Sequence, residues 1–181
     1  VVRTLGSISF TADGGLSISG QNYRPGIYVT ADNSVVQTAY LMDGSFKNVG
    51  EVKLTSVLSG SDVLGYTGVF DLSSLENGTY FFSISTVYGS MTDYNDLWQL
   101  STEAALPEDL LKNGKVYHLS AEGDTKILKL TVSDISCGTG ASYDSASNAC
   151  VCMTGYENWL SGTGCSVKAA DTSSLTLMRS T

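Results

Sequence analysis

Three groups of residues in this 181-residue chain have the types and spacing for chemistry: four cysteines, a polar aromatic segment and a lone histidine. Cys137, Cys150, Cys152 and Cys165 follow the pattern C-x12-C-x-C-x12-C in a stretch rich in Gly, Ser and Asn. An even number of cysteines, so clustered, reads as a disulfide framework from an oxidising compartment. Four cysteines allow three pairings. Cys150 and Cys152 stand too close for an easy bridge to each other. Sequential pairing, Cys137 with Cys150 and Cys152 with Cys165, closes two short loops of equal size, each contributing roughly 3 kcal/mol through loop-closure entropy. Zinc is the competing chemistry, but zinc knuckles and ribbons prefer C-x2-C pairs with basic neighbours. No Lys, Arg or His lies between Cys137 and Cys165 to lower a thiol pKa, which disfavours a reactive thiol. No resident metal or cofactor is expected.

The second group is Tyr88, Asp93, Tyr94, Asn95, Asp96 and Trp98, within the segment 88–98. It follows the most regular strand pattern of the chain and is expected to project from one end of the fold, where loops carry recognition. Tyr94 and Trp98 could stack on a sugar face. Asp93, Asn95 and Asp96 could bond hydroxyls or hold calcium through oxygen, although D-x-N-D falls short of the 12-residue calcium loop. The plainer reading assigns Trp98 and Leu100 to the core and lets the acids cap turns. His118, the single histidine, lies in the alternating run 116–119 and reads as a half-buried strand residue. No nucleophile-elbow motif, phosphate-cradling loop or paired metal-ligand histidines occur, so no catalytic residue is assigned and no enzyme is expected. Carboxylate-only catalysis needs two acids at a defined separation, which sequence spacing does not supply. Asn77-Gly-Thr79 is a formal glycosylation sequon and equally a hairpin-turn sequence; the turn is the preferred reading.

The elements that must position these groups read as strands. Period-two alternation recurs, punctuated by turn signals. Ile8 and Phe10 lead to Asp13-Gly14-Gly15, then Leu16 and Ile18, then Ile27 and Val29. In the run 35–42, Val36, Tyr40 and Met42 share one face, and Val35, Ala39 and Leu41 the other. Asp43-Gly44 ends it. Val52 and Leu54 mark a short strand, and 66–72 another. Tyr80, Phe82 and Ile84 alternate after Asn77-Gly78. Residues 116–119 follow Asn113-Gly114, and Leu128, Leu130 and Val132 follow Gly123-Asp124. Asn-Gly and Asp-Gly tolerate positive φ and suit tight hairpins. Helix is confined to the segment 101–113, where Pro107, Glu108 and Asp109 favour one or two turns inside a long connection. The pattern predicts an all-β, antiparallel sandwich or barrel over 1–135, a small disulfide-rich module over 136–166 and a C-terminal strand over 167–181.

Two stretches resemble known families. Ala31-Asp-Asn-Ser-Val35 through Met42-Asp-Gly44, then Tyr66-Thr-Gly-Val-Phe-Asp-Leu-Ser-Ser-Leu75 and Glu76-Asn-Gly-Thr-Tyr80-Phe-Phe-Ser-Ile84, resemble the middle and late strands of bacterial immunoglobulin-like domains. Those modules occur in surface adhesins and secreted multidomain proteins. The resemblance covers residues 26–90 and implies an immunoglobulin-like sandwich. Leu75-x-x-Gly78-x-Tyr80 is similar to their corner before a late core strand, where a Tyr buries its ring and bonds backbone through its hydroxyl. The sequence departs after Tyr88, so the sandwich is enlarged or its last strands are rearranged. Cys150-Val-Cys152-Met-Thr-Gly155-Tyr156, with Cys165 closing, resembles the second half of an EGF-like module; four cysteines in place of six imply a truncated EGF-like knot. Within it, Cys137-Gly-Thr-Gly140 and Cys152-Met-Thr-Gly155 match at a period of 15 residues.

Composition bounds the function. Apolar residues make up 42%, charged residues 15%, and the formal net charge is −8. That balance argues against a nucleic-acid partner and against docking on an anionic membrane, and no apolar run is long enough to span a bilayer. The first residue is Val1, which reads as a chain already processed or starting downstream of a signal. The strand-like terminal runs 1–11 and 173–178 need partners for their backbone groups, in their own sheet or by strand addition to a neighbour. The expectation is a non-enzymatic, secreted or cell-surface protein, a subunit of an extracellular filament or pilus-like appendage whose partners are copies of itself. A carbohydrate-binding adhesin domain, contacting surface glycans through the 88–98 segment, is the alternative.

Overall fold

The computed structural model describes residues 2–23, 35–59, 63–88, 91–93, 100, 102–157 and 165–167. The chain divides into two compact units, Val1–Asp134 and Ile135–Thr181. All regular structure among the described residues is strand.

In the first unit, β1 (Val2–Phe10), β2 (Leu16–Tyr23), β3 (Val35–Met42), β4 (Asn48–Ser59), β5 (Val63–Phe70), β6 (Gly78–Tyr88), β7 (Met91–Asp93), β8 (Leu110–Lys112), β9 (Lys115–Glu122) and β10 (Ile127–Asp134) form one antiparallel ladder. Its order is β1-β2-β5-β4-β3-β6-β10-β9-β8, with β7 also on β6. β4 divides the ladder. Its first half pairs with β3, from Asn48 to Leu54, and its second half pairs with β5, from Thr55 to Ser59. The expected short strand around Val52 and Leu54 is therefore a 12-residue strand serving both halves. The two halves face each other. Phe70 of β5 meets Phe82 of β6 edge-on, with ring centroids 5.6 Å apart.

Alternation explains the core. Leu16 and Ile18 on β2, Tyr80, Phe82 and Ile84 on β6, and Leu128, Leu130 and Val132 on β10 are all buried. On β1 the inward residues are Leu5 and Ile8, three apart, because a bulge between Leu5 and Ser7 shifts the phase of the strand. The hairpin signals differ in outcome. Asn113 (φ 52°) and Gly114 (φ 78°) form a two-residue turn between Lys112 and Lys115, as their shared tolerance of positive φ predicts. Asn77-Gly78 does not form a hairpin. Gly78 opens β6, which crosses from the β5 half to the β3 half, and neither residue has positive φ. The helical turns expected within 101–113 are also absent among the described residues: Leu110–Lys112 instead pairs with β9.

The corner before β6 behaves as its sequence implied. Tyr80 is buried, and its hydroxyl donates to the Glu76 carbonyl at 2.8 Å. Burial, then the Glu76 and Asp43 charges, push the Tyr80 hydroxyl above its ordinary pKa. Leu100 is buried as expected. It joins β6 to β10, its N–H donating to the Phe82 carbonyl and its carbonyl accepting from the Leu128 N–H, each at 2.8 Å. Thr102 ties the ladder's first strand to this region: its hydroxyl donates to the Leu5 carbonyl at 3.2 Å and its N–H to the Lys126 carbonyl at 3.1 Å.

Candidate functional site

All four cysteine sulfurs are in disulfides, Cys137–Cys150 and Cys152–Cys165, each joining residues 13 apart with Cα atoms 5.6 Å apart. Sequential pairing is what forms. The zinc reading fails, because no thiolate is left to bind metal. Each bridge closes a small hairpin. β11 (Ala141–Asp144) pairs with β12 (Ala149–Cys152), and β13 (Tyr156–Glu157) with β14 (Ser166–Val167).

The period of 15 is structural as well as sequential. Ala141 faces Cys152 and Ser142 faces Val151; fifteen residues on, Tyr156 faces Val167 and Glu157 faces Ser166. Gly140 and Gly155 open the two hairpins with φ of 72° and 88°. The Ala141 N–H donates to the Gly138 carbonyl at 3.1 Å, and the equivalent Tyr156 N–H to the Met153 carbonyl at 2.9 Å. The copies are tied by Met153 N–H to the Gly140 carbonyl at 2.9 Å and Cys165 N–H to the Thr139 carbonyl at 2.7 Å. Gly140 is required for this contact, since a Cβ there would lie 2.2 Å from the Tyr156 ring. The first hairpin's turn is organised by Asp144, whose Oδ2 accepts from the Ser147 hydroxyl at 2.6 Å and the Ser147 N–H at 3.0 Å. Those bonds, the hydroxyl first, hold its carboxyl below the usual range.

The polar aromatic segment is only partly placed. Tyr88 ends β6, opposite Val35 on one side and Met91 on the other. Asp93 ends β7, opposite Thr86, so the chain turns back along β6 before continuing. Tyr94, Asn95, Asp96 and Trp98 lie outside the described residues. His118 is exposed where the sequence suggested half burial. β9 turns Tyr117 and Leu119 inward and His118 outward, where its Nδ1 lies 2.7 Å from Asp109 Oδ1.

A buried polar network was missed by the sequence reading. Gln37 is fully buried, and its Nε2 donates to the Gly65 carbonyl and to Ser56 Oγ, each at 3.1 Å. Its Oε1 accepts from Asn22 Nδ2 at 3.4 Å; that amide also bonds Thr86 Oγ1, and Arg3 Nε donates to Asn22 Oδ1 at 3.1 Å. The network crosses between the ladder's halves and fixes their register, because every misaligned pairing strands a buried polar group. A signal existed: the inward face through Val35, Ala39 and Leu41 passes through position 37. Comparison with protein-family models, curated proteins and solved structures finds no match for this chain.

Proposed function

We propose that this chain is a non-enzymatic extracellular structural protein, a subunit of a surface filament or appendage assembled through strand and terminal-segment contacts. The observation that carries this reading is the pair of open ladder edges. Among the described residues, β8 covers β9 only from Lys115 to Tyr117, leaving His118 to Glu122 with one free edge. Among those same residues, the outer edge of β1 meets Thr102 alone, through the Leu5–Thr102 bridge and the Thr102 hydroxyl bond to the Leu5 carbonyl. Such edges accept an added strand. β1 is already paired with β2 of its own chain, so strand donation falls to the C-terminal run 173–178, which lies outside the described residues.

Further support comes from the disulfides, which suit an oxidising, extracellular setting. Among the described residues, no helix is long and apolar enough to cross a membrane. The order β1-β2-β5-β4 followed by β3-β6-β10, with the Tyr80 corner, supports an immunoglobulin-like sandwich enlarged by β9 and β8. The crosslinked tandem hairpins would then resist extraction and proteolysis, the role proposed for the truncated EGF-like module.

Light scattering and negative-stain microscopy of the oxidised full chain test the reading. Filaments or higher oligomers are expected, and removing residues 168–181 should leave monomers. A single monomeric mass for the full chain at every concentration would refute it.

A further inference from the structure

We propose that Asn77 is a modification site that carries an N-linked oligosaccharide. Asn77-Gly78-Thr79 is the one N-x-S/T sequence in the chain. By sequence, a hairpin turn accounts for it equally well. The fold removes that account, because Gly78 opens β6 and neither Asn77 nor Gly78 has positive φ. Glycosylation needs the oxidising, extracellular setting of the proposed function but none of its assembly contacts, so the two readings can fail separately.

The other described asparagines set Asn77 apart. Asn22 bonds Gln37 in the buried network. Asn48 Oδ1 accepts from the Gly50 N–H at 3.1 Å. Asn113 and Asn148 each hold φ of 52° in turns. These are the ordinary structural uses of the residue, whose short amide bonds nearby polar groups and whose backbone tolerates the left-handed region. Asn77 has neither use. Among the described residues no hydrogen bond engages its amide, and the residue is exposed. Thr79 is exposed as well, on the side of β6 opposite the buried Tyr80, and no bond among the described residues uses its hydroxyl.

The segment is open to a transferring enzyme and to its product. Gly78 and Thr79 pair with Val132 and Thr131 of β10, whereas β3 reaches β6 only at Phe81. Among the described residues, no strand therefore covers their other edge. A cleft of about 500 Å³, lined by Asn77 together with Asp43, Ser45 and Val49, leaves room beside the amide for the first sugar. The co-reactant is a polyprenyl-diphosphate-linked oligosaccharide, used by a membrane-bound transferase of the secretory route. Asn77 Nδ2 attacks the anomeric carbon, and a C–N bond forms as the C–O bond to the diphosphate breaks. The lipid diphosphate leaves with that bond's electron pair, and the amide gives up one proton to a base of the transferase. The acceptor is read through the hydroxyl two residues on as well as through the amide, which is the part Thr79 plays.

Peptide mapping by mass spectrometry, on the protein isolated from its native source, tests the site. The peptide holding Asn77 is expected to carry hexose and N-acetylhexosamine mass. Peptide-N-glycosidase should remove that mass and leave Asp at position 77. In material secreted from cells that contain the transferase, Thr79→Ser should keep the glycan, whereas Thr79→Ala and Asn77→Gln should each lose it. Made without the glycan, Thr79→Ala should melt like the unmodified parent, because an exposed side chain outside any bond contributes little. The proposal is overturned if native Asn77 is unmodified, or if it has become Asp without the enzyme, the product of Asn-Gly deamidation. It is also overturned if the glycan persists on Asn77 in Thr79→Ala. A glycosylated monomer would sink the assembly reading alone, and unmodified filaments would sink this one alone.

Discussion

Among the described residues of Ile135–Thr181, Gly140 alone is buried, whereas Val1–Asp134 closes over a continuous apolar cluster including Leu16, Ile18, Phe82, Leu128 and Leu130. The contrast shows two solutions to one problem. A ladder of long strands can place alternate side chains into a shared interior, and burying each large one contributes about 1.5–3 kcal/mol. Two hairpins built on strands of four and two residues cannot. There the crosslinks shorten the unfolded chain's freedom in place of a core. The ladder depends on tertiary packing, and the hairpins depend on covalent bonds and local turn chemistry.

Mutations in each region should separate these mechanisms. The largest effect is expected for Phe82→Ala, which empties a fully buried site against Phe70 and should cost about 3–5 kcal/mol in denaturant unfolding of the first unit. Next comes a matched pair in the repeat. Gly140→Ala and Gly155→Ala both place a side chain at positive φ, at about 1–2 kcal/mol each. Only Gly140→Ala also collides with Tyr156, so thermal unfolding should rank it clearly the more damaging. Equal effects would show that the contact between copies carries no weight.

Tyr80→Phe keeps the ring and removes the hydroxyl bond to Glu76; a loss of about 1 kcal/mol in chemical denaturation is expected. The smallest effect concerns pH. Asp144 titrates below its ordinary value in the folded turn, so its contribution is present above about pH 4 and fades as the pH falls through its folded pKa. An NMR titration should show the Ser147 amide moving in that range, and Asp144→Asn should shift that amide and flatten its acid response.

Much of this was legible because it is local. Period two marked the buried faces of β2, β6 and β10, and Asn113-Gly114 marked a true hairpin. The 15-residue repeat was likewise written in short-range spacing, and the burial and backbone bond of Tyr80 were expected from the resemblance of residues 75–80 to an immunoglobulin-like corner. What escaped depends on partners distant in sequence. β4 was read as short because its second half, which leaves Val57 and Leu58 exposed, is fixed only by pairing with β5. Gln37 was passed over as a core residue because its acceptors and donors lie on β2, β4 and β5. Asn77-Gly78 has turn chemistry, yet the chain crosses between the ladder's halves there. Residues 102–109 hold no helix because Leu100 and Thr102 are already committed to β6, β10 and β1. Asp43-Gly44 was visible as a turn, but the left-handed backbone of Phe46 within it had no signature in the sequence.

Hydrogen exchange of the full chain, oxidised and then reduced under native conditions, is the most direct test. With the disulfides cut, amides of β11 to β14 should lose their protection while those of β2, β3, β6 and β10 keep theirs. Protection that survives reduction in the hairpins, or that vanishes from both units together, would contradict an account in which one region is held by its core and the other by its crosslinks.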